Sequence, residues 1–538
     1  MPESFTEQEK RILDPFVTNT EKPIFALRNL PEVIKGALFS RYSRSSKGLR
    51  RLLLDEFVEN KDIKFSEIAG LNTADSGSQM LAVQKAKDFY DRILDGFGDD
   101  SIGELGGAHL ACEQVSIIAT KIIEDSRIGG SPLEKSTRYL FFDQKSDGDY
   151  QFYKEPAIID SEFRELYLET CRFLFDTYSK LIEPMKEFAK KAAPKEEGVS
   201  DMAYNFSIRA RACDALRGLL PASTLTNMGV FGNGRFFEYL LLKLRCSELA
   251  EMRDLAGTMH EELNKIIPSF VRKADAGHKH FKPHKEFIQG SENAVLDIAD
   301  KNLAGIKPEH RDEVELVEYD ADAEDKLIAM ILYRYSKHPI SQLKGIVKKM
   351  SPAEKEKIIH EALCRRTNRR HKPGRAFENI YYTFDMLADY GIYRDLQRHR
   401  ILTQERQDLT AEHGYAVPAD IIDAGFEKDF RLAMEKAADA YYKISKKFPK
   451  EAQYAVPLAY KIRWYNKINL RSLYWLIELR TGKQGHAHYR AIAQDMYRKI
   501  AEVHPLLVKY MSFTDMNTYS LGRLDAEKRK EERARQKS

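Results

Sequence analysis

Two stretches in different halves of this chain repeat one ordered pattern of residues. PASTLTNMGVFGNGRFFEYLLLKLR begins at Pro221, and PLAYKIRWYNKINLRSLYWLIELR begins at Pro457. Both contain Asn-x-Arg followed by an apolar segment that ends in Leu-Arg, and FSRYS at 39–43 matches LYRYS at 332–336. The matched polar residues are Asn233, Arg235 and Arg245 in the first stretch and Asn469, Arg471 and Arg480 in the second. Because a long-period repeat constrains the fold before any single motif does, we predict two diverged copies of one unit joined head to tail.

The repeat sets the expected domain boundaries, with a linker where the chain turns polar. The expected segments are a polar lead-in at 1–20, copy one at 21–275, a linker at 276–292, copy two at 293–520 and a charged tail at 521–538. The polar region around this linker contains Gly277, Pro283 and Gly290, which are typical of loops. It also contains His278, His280 and His284, but a solvated linker explains them better than a metal site, so we predict no bound metal.

Strand and helix patterns alternate within copy two. VELVEYD at 314–320 and the aromatic-rich ENIYYTFDML at 378–387 predict strands. AEDKLIAMILYRYS at 323–336 carries apolar residues at helical spacing, and the segment from Gly391 to Arg400 resumes a helix. The alternation predicts the α/β (α+β) class, with each copy a β-sheet covered by helices.

Composition excludes several classes of protein. The net charge of +4 is small beside 86 basic and 82 acidic residues, so whole-chain charge gives no reason to expect nucleic-acid binding. The five cysteines are scattered without a C-x-x-C pair, which argues against a disulfide framework and a cysteine zinc site. The N-terminal segment has no signal-peptide pattern, and no stretch reaches the roughly 20 apolar residues of a membrane helix. We therefore expect a reducing, cytoplasmic location.

Arg398-His399-Arg400 is a compact basic cluster at the end of a predicted helix. Guanidinium groups offer planar paired donors for phosphate, and an imidazole can donate to a ring carbonyl or nitrogen. The helix dipole alone also favours basic residues at this end, so the tripeptide by itself indicates little. Its place in an ordered series of motifs indicates more.

The ordered motifs of the chain resemble those of the flavin-dependent thymidylate synthases. Copy two supplies Phe377-Glu378, Arg398-His399-Arg400, Asn469-Leu470-Arg471 and Leu479-Arg480. Copy one supplies the segment 98–104, the segment EKSTRY at 134–139, Arg217, Asn233-Gly234-Arg235 and Arg245. The resemblance covers most of the chain, once per copy, and implies two tandem copies of the flavin-dependent thymidylate synthase-like fold.

Departures from the family pattern differ between the copies. Copy one has Glu124-Asp125-Ser126 where the family has Arg-His-Arg, whereas copy two has Asp408-Leu409-Thr410-Ala411 where the family has Ser-x-Arg-Tyr. Gln453 of copy two stands where copy one has Arg217. Since family sites are built between two subunits, the resemblance implies one working composite site from both copies and a reciprocal site that has lost its cations.

The resemblance implies reductive methylation of dUMP to dTMP, with FAD as cofactor and NADPH and methylenetetrahydrofolate as co-substrates. Arg480 is the implied catalytic residue, stabilising negative charge on the pyrimidine. The implied substrate-binding residues are Glu134, Ser136, Arg138, Arg217, Gln397, Arg398 and Arg480. The implied flavin-binding residues are Arg398, His399, Arg400, Glu134, Ser101, Asn233, Arg235, Asn469 and Arg471.

Other functions stay open at this stage. Asp395 stands where the family usually has a substrate-contacting glutamine, and RRTNRRHKPGR at 365–375 is basic. Both features motivate a flavin-dependent enzyme acting on another pyrimidine nucleotide or on an RNA base. A nucleotide-binding pseudoenzyme is the third possibility. Because family subunits form homotetramers, a fused pair is expected to form a homodimer, with a nucleotide rather than a nucleic acid or a membrane as its partner.

Overall fold

A computed structural model of the chain describes residues 4–58 and 100–536. Gly98 and Asp99 of the copy-one motif lie outside the described residues, as does the side chain of Ser101. The strands are β1 Gly107–Ser116, β2 Gly130–Glu134, β3 Lys145–Ser146, β4 Asp149–Tyr150, β5 Leu225–Asn233, β6 Val314–Tyr319, β7 Tyr381–Asp389, β8 Thr403–Arg406 and β9 Lys461–Asn469.

The helices lie between these strands along the whole described chain. In chain order they are α1 Glu7–Leu13, α2 Glu32–Tyr42, α3 Leu49–Leu52, α4 Ile117–Glu124, α5 Pro156–Ile159, α6 Arg164–Ala192, α7 Asp201–Leu216, α8 Gly234–Cys246, α9 Ala250–Asn264, α10 Pro268–Val271, α11 Phe281–Leu303, α12 Ala323–Tyr333, α13 Ile340–Val347, α14 Pro352–Leu363, α15 Tyr390–Leu396, α16 Ala419–Asp423, α17 Glu427–Ile444, α18 Leu470–Arg480, α19 Ala487–Val503, α20 Pro505–Val508 and α21 Leu524–Arg535. Short 3-10 helices include Asp100–Glu104, Arg217–Leu219, Arg375–Asn379 and Glu451–Ala455.

The chain forms two units, and each draws on more than one segment. The first unit contains Met1–Val115, Ile122–Lys135 and Thr226–Ile306. Its sheet has the strand order β1-β5-β2, and β2 runs antiparallel to β5 with Gly130 opposite Gly232 and Glu134 opposite Met228. Helix α8 follows β5 directly and buries Phe236, Phe237 and the leucines of its apolar face.

The second unit contains Ser116–Lys121, Ser136–Leu225 and Lys307–Ser538, and therefore combines parts of both predicted copies. Its four-stranded sheet has the order β6-β7-β9-β8, with every neighbouring pair antiparallel. Alternate residues of the two central strands are buried, among them Phe384 and Met386 of β7 and Trp464 of β9. This period of two is what a sheet with one covered face requires.

The long central strands pass directly into helices, and a polar side chain caps each junction. The side-chain oxygens of Asn233, Asp389 and Asn469 accept hydrogen bonds from backbone amides three residues ahead, at 2.8, 2.9 and 2.9 Å. Each bond satisfies one of the amides that the first helical turn leaves unpaired. The Asn of the repeated Asn-x-Arg therefore has a local structural function in both copies.

The two repeated segments pair with each other inside the second unit. Pro221 and Pro457, which begin the repeats, face each other in an isolated antiparallel bridge. Ala222 N donates to Val456 O at 2.9 Å, and Leu458 N donates to Leu220 O at 2.9 Å. The two bonds join equivalent positions of the two repeats in opposite directions, as a twofold relation between the paired segments requires.

The α/β (α+β) class is confirmed, and several elements lie where the sequence predicts them. The predicted strands at 314–320 and 378–387 appear as β6 and β7, and the predicted helix at 323–336 contains α12. The expected linker at 276–292 includes the start of helix α11, and the copy boundaries stay a prediction. All five cysteines are unpaired thiols. In the described part of the chain, no helix is long and apolar enough to cross a membrane.

A buried ion pair joins the loop after α14 to helix α18. The Arg366 guanidinium donates to both carboxylate oxygens of Glu478, at 3.0 and 2.6 Å, and to the carbonyl of Tyr510 at 3.0 Å. The Glu478 side chain is fully buried and that of Arg366 is nearly so. The guanidinium also lies over the rings of Tyr474 and Phe513. Removal of either charge leaves the other uncompensated in the core.

Arg366→Met should therefore lower the free energy of unfolding by about 3–5 kcal/mol. Arg365→Met is the matched control, because Arg365 is exposed and its ion-pair partner among the described residues is the exposed Glu361, so this change should cost little. Urea-induced unfolding compares the two variants. Equal losses in both would contradict the assignment of the buried pair as a stabilising contact.

Candidate functional site

Helix α15 carries the Arg-His-Arg cluster immediately beyond its C-terminal end. The capped junction at Asp389 begins the helix, which ends at Leu396 with every residue of 390–396 buried. Arg398 and Arg400 are exposed, whereas His399 between them is 8% exposed. The cluster therefore presents two guanidinium groups outward and keeps its imidazole inside.

His399 is held by Arg480, the last residue of α18. Arg480 Nε donates to His399 Nε2 at 2.8 Å, so this imidazole nitrogen is an acceptor and the ring proton resides on Nδ1. Burial, together with the adjacent Arg480 charge, holds the pKa of His399 well below its usual range. The cluster consequently contributes two positive charges and one neutral imidazole, with Arg480 as a third fixed guanidinium beside it.

Arg217 of copy one reaches Asp395 of copy two within the second unit. Arg217 Nη1 lies 2.9 Å from Asp395 Oδ2, and the two side chains are only 4% and 11% exposed. Burial works against ionisation of Asp395, but Arg217, Arg138, Arg398 and Arg480 outweigh it and hold the pKa of Asp395 far below its usual range. The residue at the position of the family's glutamine is therefore a buried anion among arginines.

Arg138 forms the second buried ion pair of this region. Its Nε and Nη2 donate to the two carboxylate oxygens of Asp214 at 2.7 and 2.8 Å. The Arg138 and Arg480 guanidiniums both lie 5.5 Å from the centre of the Tyr489 ring. One aromatic ring thus contacts a predicted substrate-binding arginine from copy one and the predicted catalytic arginine from copy two.

A cavity of about 720 Å³ opens in the second unit beside these pairs. Arg138, Asp214 and Arg217 line it from copy one, and Asp389, residues 485–488, Arg490 and Ala491 line it from copy two. Its volume lies within the range of small-molecule binding sites. Of the predicted site residues, Arg138 and Arg217 line the cavity, and Asp395 is joined to it through Arg217.

Two histidines at the start of α19, His486 at its N-cap and His488 in its first turn, have opposite charge states. Burial, with Arg217 nearby, lowers the pKa of His486 to about 4, so His486 is neutral. Although burial also disfavours charge on His488, its ring nitrogens lie 2.9 Å from Asp389 and 3.0 Å from Glu313, and these carboxylates raise its pKa to about 9. His488 is therefore an imidazolium held between two carboxylates on the cavity wall.

The other predicted residues of the second unit have structural contacts. Gln397 is buried and donates to the carbonyl of Lys121 at 2.9 Å. Ser136 Oγ accepts from the backbone amide of Arg138 at 3.2 Å. Arg471 donates to the carbonyl of Pro373 and to Glu378, both at 2.7 Å.

Four predicted residues belong to the first unit. Glu134 is buried at the end of β2, and Ser101 lies in the Asp100–Glu104 3-10 helix. Asn233 caps α8, and Arg235 forms an exposed ion pair with Glu104 at 2.8 Å.

Metal-ligating side chains gather at one surface position in the described residues. His360, Glu361 and Cys364 have possible ligand atoms within 4.8 Å of one another at the end of α14, and all three are exposed. Arg365 occupies Glu361 with a hydrogen bond at 2.8 Å. This group is remote in sequence from the residues that the resemblance implicates.

Sequence reasoning missed the partners of the arginines. Asp214 and Tyr489 contact Arg138 and contribute to the site as directly as the predicted residues. Asp214 is 76 residues from Arg138, and no periodicity connects them. Tyr489 lies in the first turn of α19, outside the motifs that carry the family resemblance.

A family comparison bears directly on these residues. The family of the thymidylate synthase complementing protein matches residues 55–269 and again residues 315–506. The two matches cover most of the chain. This chain belongs to the thymidylate synthase complementing protein family. The double match agrees with the tandem copies that the internal repeat predicts.

Relatives in this family match the chain over nearly its whole length. A "UPF0159 protein" of Chlamydia muridarum is 48% identical over 98% of both chains. A "UPF0159 protein" of Chlamydia pneumoniae is 47% identical over 98% of both chains. "UPF0159 protein Ta1429" of Thermoplasma acidophilum is 34% identical over 93% of this chain and 99% of its own length.

More distant likenesses exist among solved structures. The flavin-dependent thymidylate synthase ThyX of Helicobacter pylori, complexed with FAD and dUMP, is 18% identical, with a TM-score of 0.28, over 37% of this chain and 98% of its own. The UMP/dUMP methylase PolB of Streptomyces cacaoi, bound with 5-Br dUMP, is 18% identical, with a TM-score of 0.29, over 37% of this chain and 94% of its own.

The charge on His488 should make the stability of the chain depend on pH. Its folded pKa of about 9 lies above the ordinary 6.5, so the stabilisation is complete below pH 6.5 and is lost as pH rises through 9. His488→Gln should lower the unfolding temperature most near pH 6 and least above pH 9. His360→Gln is the control at an exposed histidine, and its effect on the unfolding temperature should be small. A His488→Gln effect that does not vary with pH would contradict the charged triad.

Proposed function

We propose that this chain is a flavin-dependent thymidylate synthase-like methyltransferase that converts dUMP to dTMP in one composite site. The supporting observation is the meeting of copy-one Arg138 and Arg217 with copy-two Asp395, Arg480 and Tyr489 inside one unit. Family membership supports the class of reaction. The division of retained motifs between the copies supports a single site.

FAD is the cofactor of this proposal, and the residues at the end of α15 fit it chemically. Arg398 and Arg400 are exposed guanidinium groups, suited to paired hydrogen bonds with phosphate. His399 has its Nδ1–H available as a donor once Nε2 accepts from Arg480. When bound, FAD would supply hydride transfer, with NADPH as the source of its electrons.

The other proposed flavin contacts are Glu134, Ser101, Asn233, Arg235, Asn469 and Arg471. Two of these, Asn233 and Asn469, also cap helices through their side-chain oxygens, which leaves the amide NH₂ groups for a ligand. Arg471 and Arg235 each hold a carboxylate in this structure. We therefore assign the flavin primarily to the Arg-His-Arg cluster.

Arg480 is the proposed catalytic residue. Its hydrogen bond to a neutral imidazole fixes the guanidinium without cancelling its charge. Such a fixed cation can stabilise negative charge that develops on a pyrimidine ring and raise the nucleophilicity of C5, which would receive the carbon of methylenetetrahydrofolate. Ser136, Arg138, Arg217, Gln397, Glu134 and Arg398 are the proposed substrate-binding residues.

The reciprocal residues have lost the cations of the family pattern, which supports one site per chain. Asp408 pairs with Lys450 at 2.8 Å, and Gln453, the equivalent of Arg217, donates to the carbonyl of Lys450 at 2.6 Å. In the first unit Asp125 pairs with Lys243 at 2.9 Å. Asp408 stands at the position of Ser136, and a carboxylate there would repel a nucleotide phosphate.

A second candidate is a flavin-dependent enzyme that acts on another pyrimidine nucleotide or on an RNA base. The buried carboxylate of Asp395 against Arg217 favours it, because this pairing weakens the attraction for a phosphate dianion. A nucleotide-binding pseudoenzyme is the remaining alternative. A cytoplasmic homodimer completes the proposal, and light scattering that shows a flavin-bound monomer would contradict the dimer.

The deciding experiment starts with the colour of the purified protein and then follows dUMP-dependent oxidation of its reduced flavin. The proposal expects bound FAD, and oxidation that requires methylenetetrahydrofolate and yields dTMP. A chain that binds FAD but does not convert dUMP would favour the second candidate. A colourless chain that cannot take up FAD would rule out both flavoenzyme functions.

Arg398→Ala and Arg400→Ala should each weaken FAD binding by about tenfold or more, because each removes a charge-assisted donor. Glu124→Ala changes the corresponding position of copy one and is the matched control, with unchanged FAD affinity expected. Equilibrium titration with FAD, followed by flavin fluorescence, measures all three. Equal weakening by Glu124→Ala would contradict the single composite site.

A further inference from the structure

The cavity of the second unit is lined with basic residues, yet its charge is balanced. Each arginine and lysine in its wall lies within 3.8 Å of a carboxylate oxygen. His488 is paired in the same way, and His486 is neutral. Among the described residues of the wall, no cation is left without a carboxylate to meet a ligand phosphate. An anionic ligand must therefore compete with an internal carboxylate.

Arg217 is the wall cation best placed for that competition. Arg138 uses two nitrogens on Asp214 and the third on the Tyr489 hydroxyl, so each of its nitrogens already donates a hydrogen bond. Arg217 is 4% exposed and binds Asp395 through Nη1, whereas its buried Nη2 has no hydrogen-bond partner in the described part of the chain. A buried donor without a partner is costly, and a ligand acceptor would satisfy it.

Asp395 is itself built into the helix that leads to the flavin cluster. It lies on α15, three residues before Arg398, and all neighbouring positions of the helix are buried. The electrostatic environment of its carboxylate includes Arg138, Arg398 and Arg480 besides Arg217. The Asp395 carboxylate thus lies among arginines from both copies. Without this carboxylate, a ligand phosphate would be the counter-ion of these arginines.

We propose that Asp395 is a specificity-determining residue that acts as the internal counter-ion of Arg217 and reduces the contribution of the ligand phosphate to binding. Arg217 then binds a ligand through Nη2 while Asp395 occupies Nη1. A nucleoside monophosphate carries close to two negative charges near neutral pH. Repulsion between Asp395 and the ligand phosphate offsets the attraction between Arg217 and that phosphate. The affinities of the site for a pyrimidine nucleoside and for its monophosphate therefore differ only weakly. The inference rests on the proposed function for the choice of a pyrimidine ligand. The effect of Asp395 on the binding of an anion does not depend on that function.

The test compares deoxyuridine, dUMP and inorganic phosphate as ligands of the full chain. Asp395→Asn should raise the affinity for dUMP by about tenfold, as expected for loss of one repulsive charge, and change that for deoxyuridine by less than about twofold. Asp395→Glu should keep the wild-type ratio of the two affinities. Calorimetric titration in a phosphate-free buffer supplies both constants.

Two further measurements keep the test decisive. Asp395→Asn leaves the buried Arg217 guanidinium without its counter-ion, and Asp395→Gln is the second variant because it removes the same charge with a side chain of different length. Inorganic phosphate should raise the unfolding temperature of either variant more than that of wild type. Asp385→Asn removes a carboxylate from Arg463, a pair that does not line the cavity, and is the matched control, with dUMP affinity expected to change by less than about twofold.

The outcomes separate the inference from the proposed function. If Asp395→Asn and Asp395→Gln weaken dUMP binding as much as Arg217→Met does, Asp395 only positions Arg217 and the inference is wrong. An equal gain from Asp385→Asn would also overturn it. If phosphate stabilises the variants more than wild type but the chain takes up no FAD, the counter-ion function of Asp395 is supported and the proposed flavoenzyme function is contradicted.

Discussion

The antiparallel pairing of residues 218–223 with 454–459 is the contact on which the site depends. Besides the central pair of hydrogen bonds, Ser223 N donates to Tyr454 O at 3.2 Å and Ala459 N donates to Gly218 O at 3.0 Å. These are again equivalent positions exchanged between the repeats. Arg217 immediately precedes the first segment, so the pairing carries this arginine toward copy two, where it meets Asp395.

Tandem duplication explains how the halves of a site came to differ. A twofold relation offers two equivalent positions, and a single chain can change one without changing the other. In this chain the retained arginines are compensated by two carboxylates, the partly buried Asp214 and the buried Asp395, which stabilise the folded state by neutralising charge. Removal of one partner would leave an isolated buried charge, so these pairs constrain stability.

The sequence predicted those parts of the fold that local patterns encode. The aromatic-rich pattern of β7 and the helical periodicity of α12 are local, and the structure confirms the strand and the helix that they predict. The repeat predicted the tandem organisation. The early start of helix α11 was not evident, since none of its residues is buried and its glycine and proline are typical of loops.

The candidate site was predictable only as a set of residue types. Arg217 alone would be taken for a surface ion pair, and the structure instead buries it with Asp395. The contacts of Arg138 with Asp214 and Tyr489 join residues far apart in the chain, where neither spacing nor composition carries a signal. The charge balance of a cavity depends on which side chains are paired, and these pairs form only when the chain is folded.

The central claim is that both copies together build one nucleotide site in each chain. Equilibrium titration of the purified chain with dUMP, at a protein concentration known from amino-acid analysis, tests it most directly. The account predicts one nucleotide bound per chain, with that binding lost on changing either Arg138 of copy one or Arg480 of copy two to Met. Two nucleotides per chain, or binding that survives both changes, would contradict it.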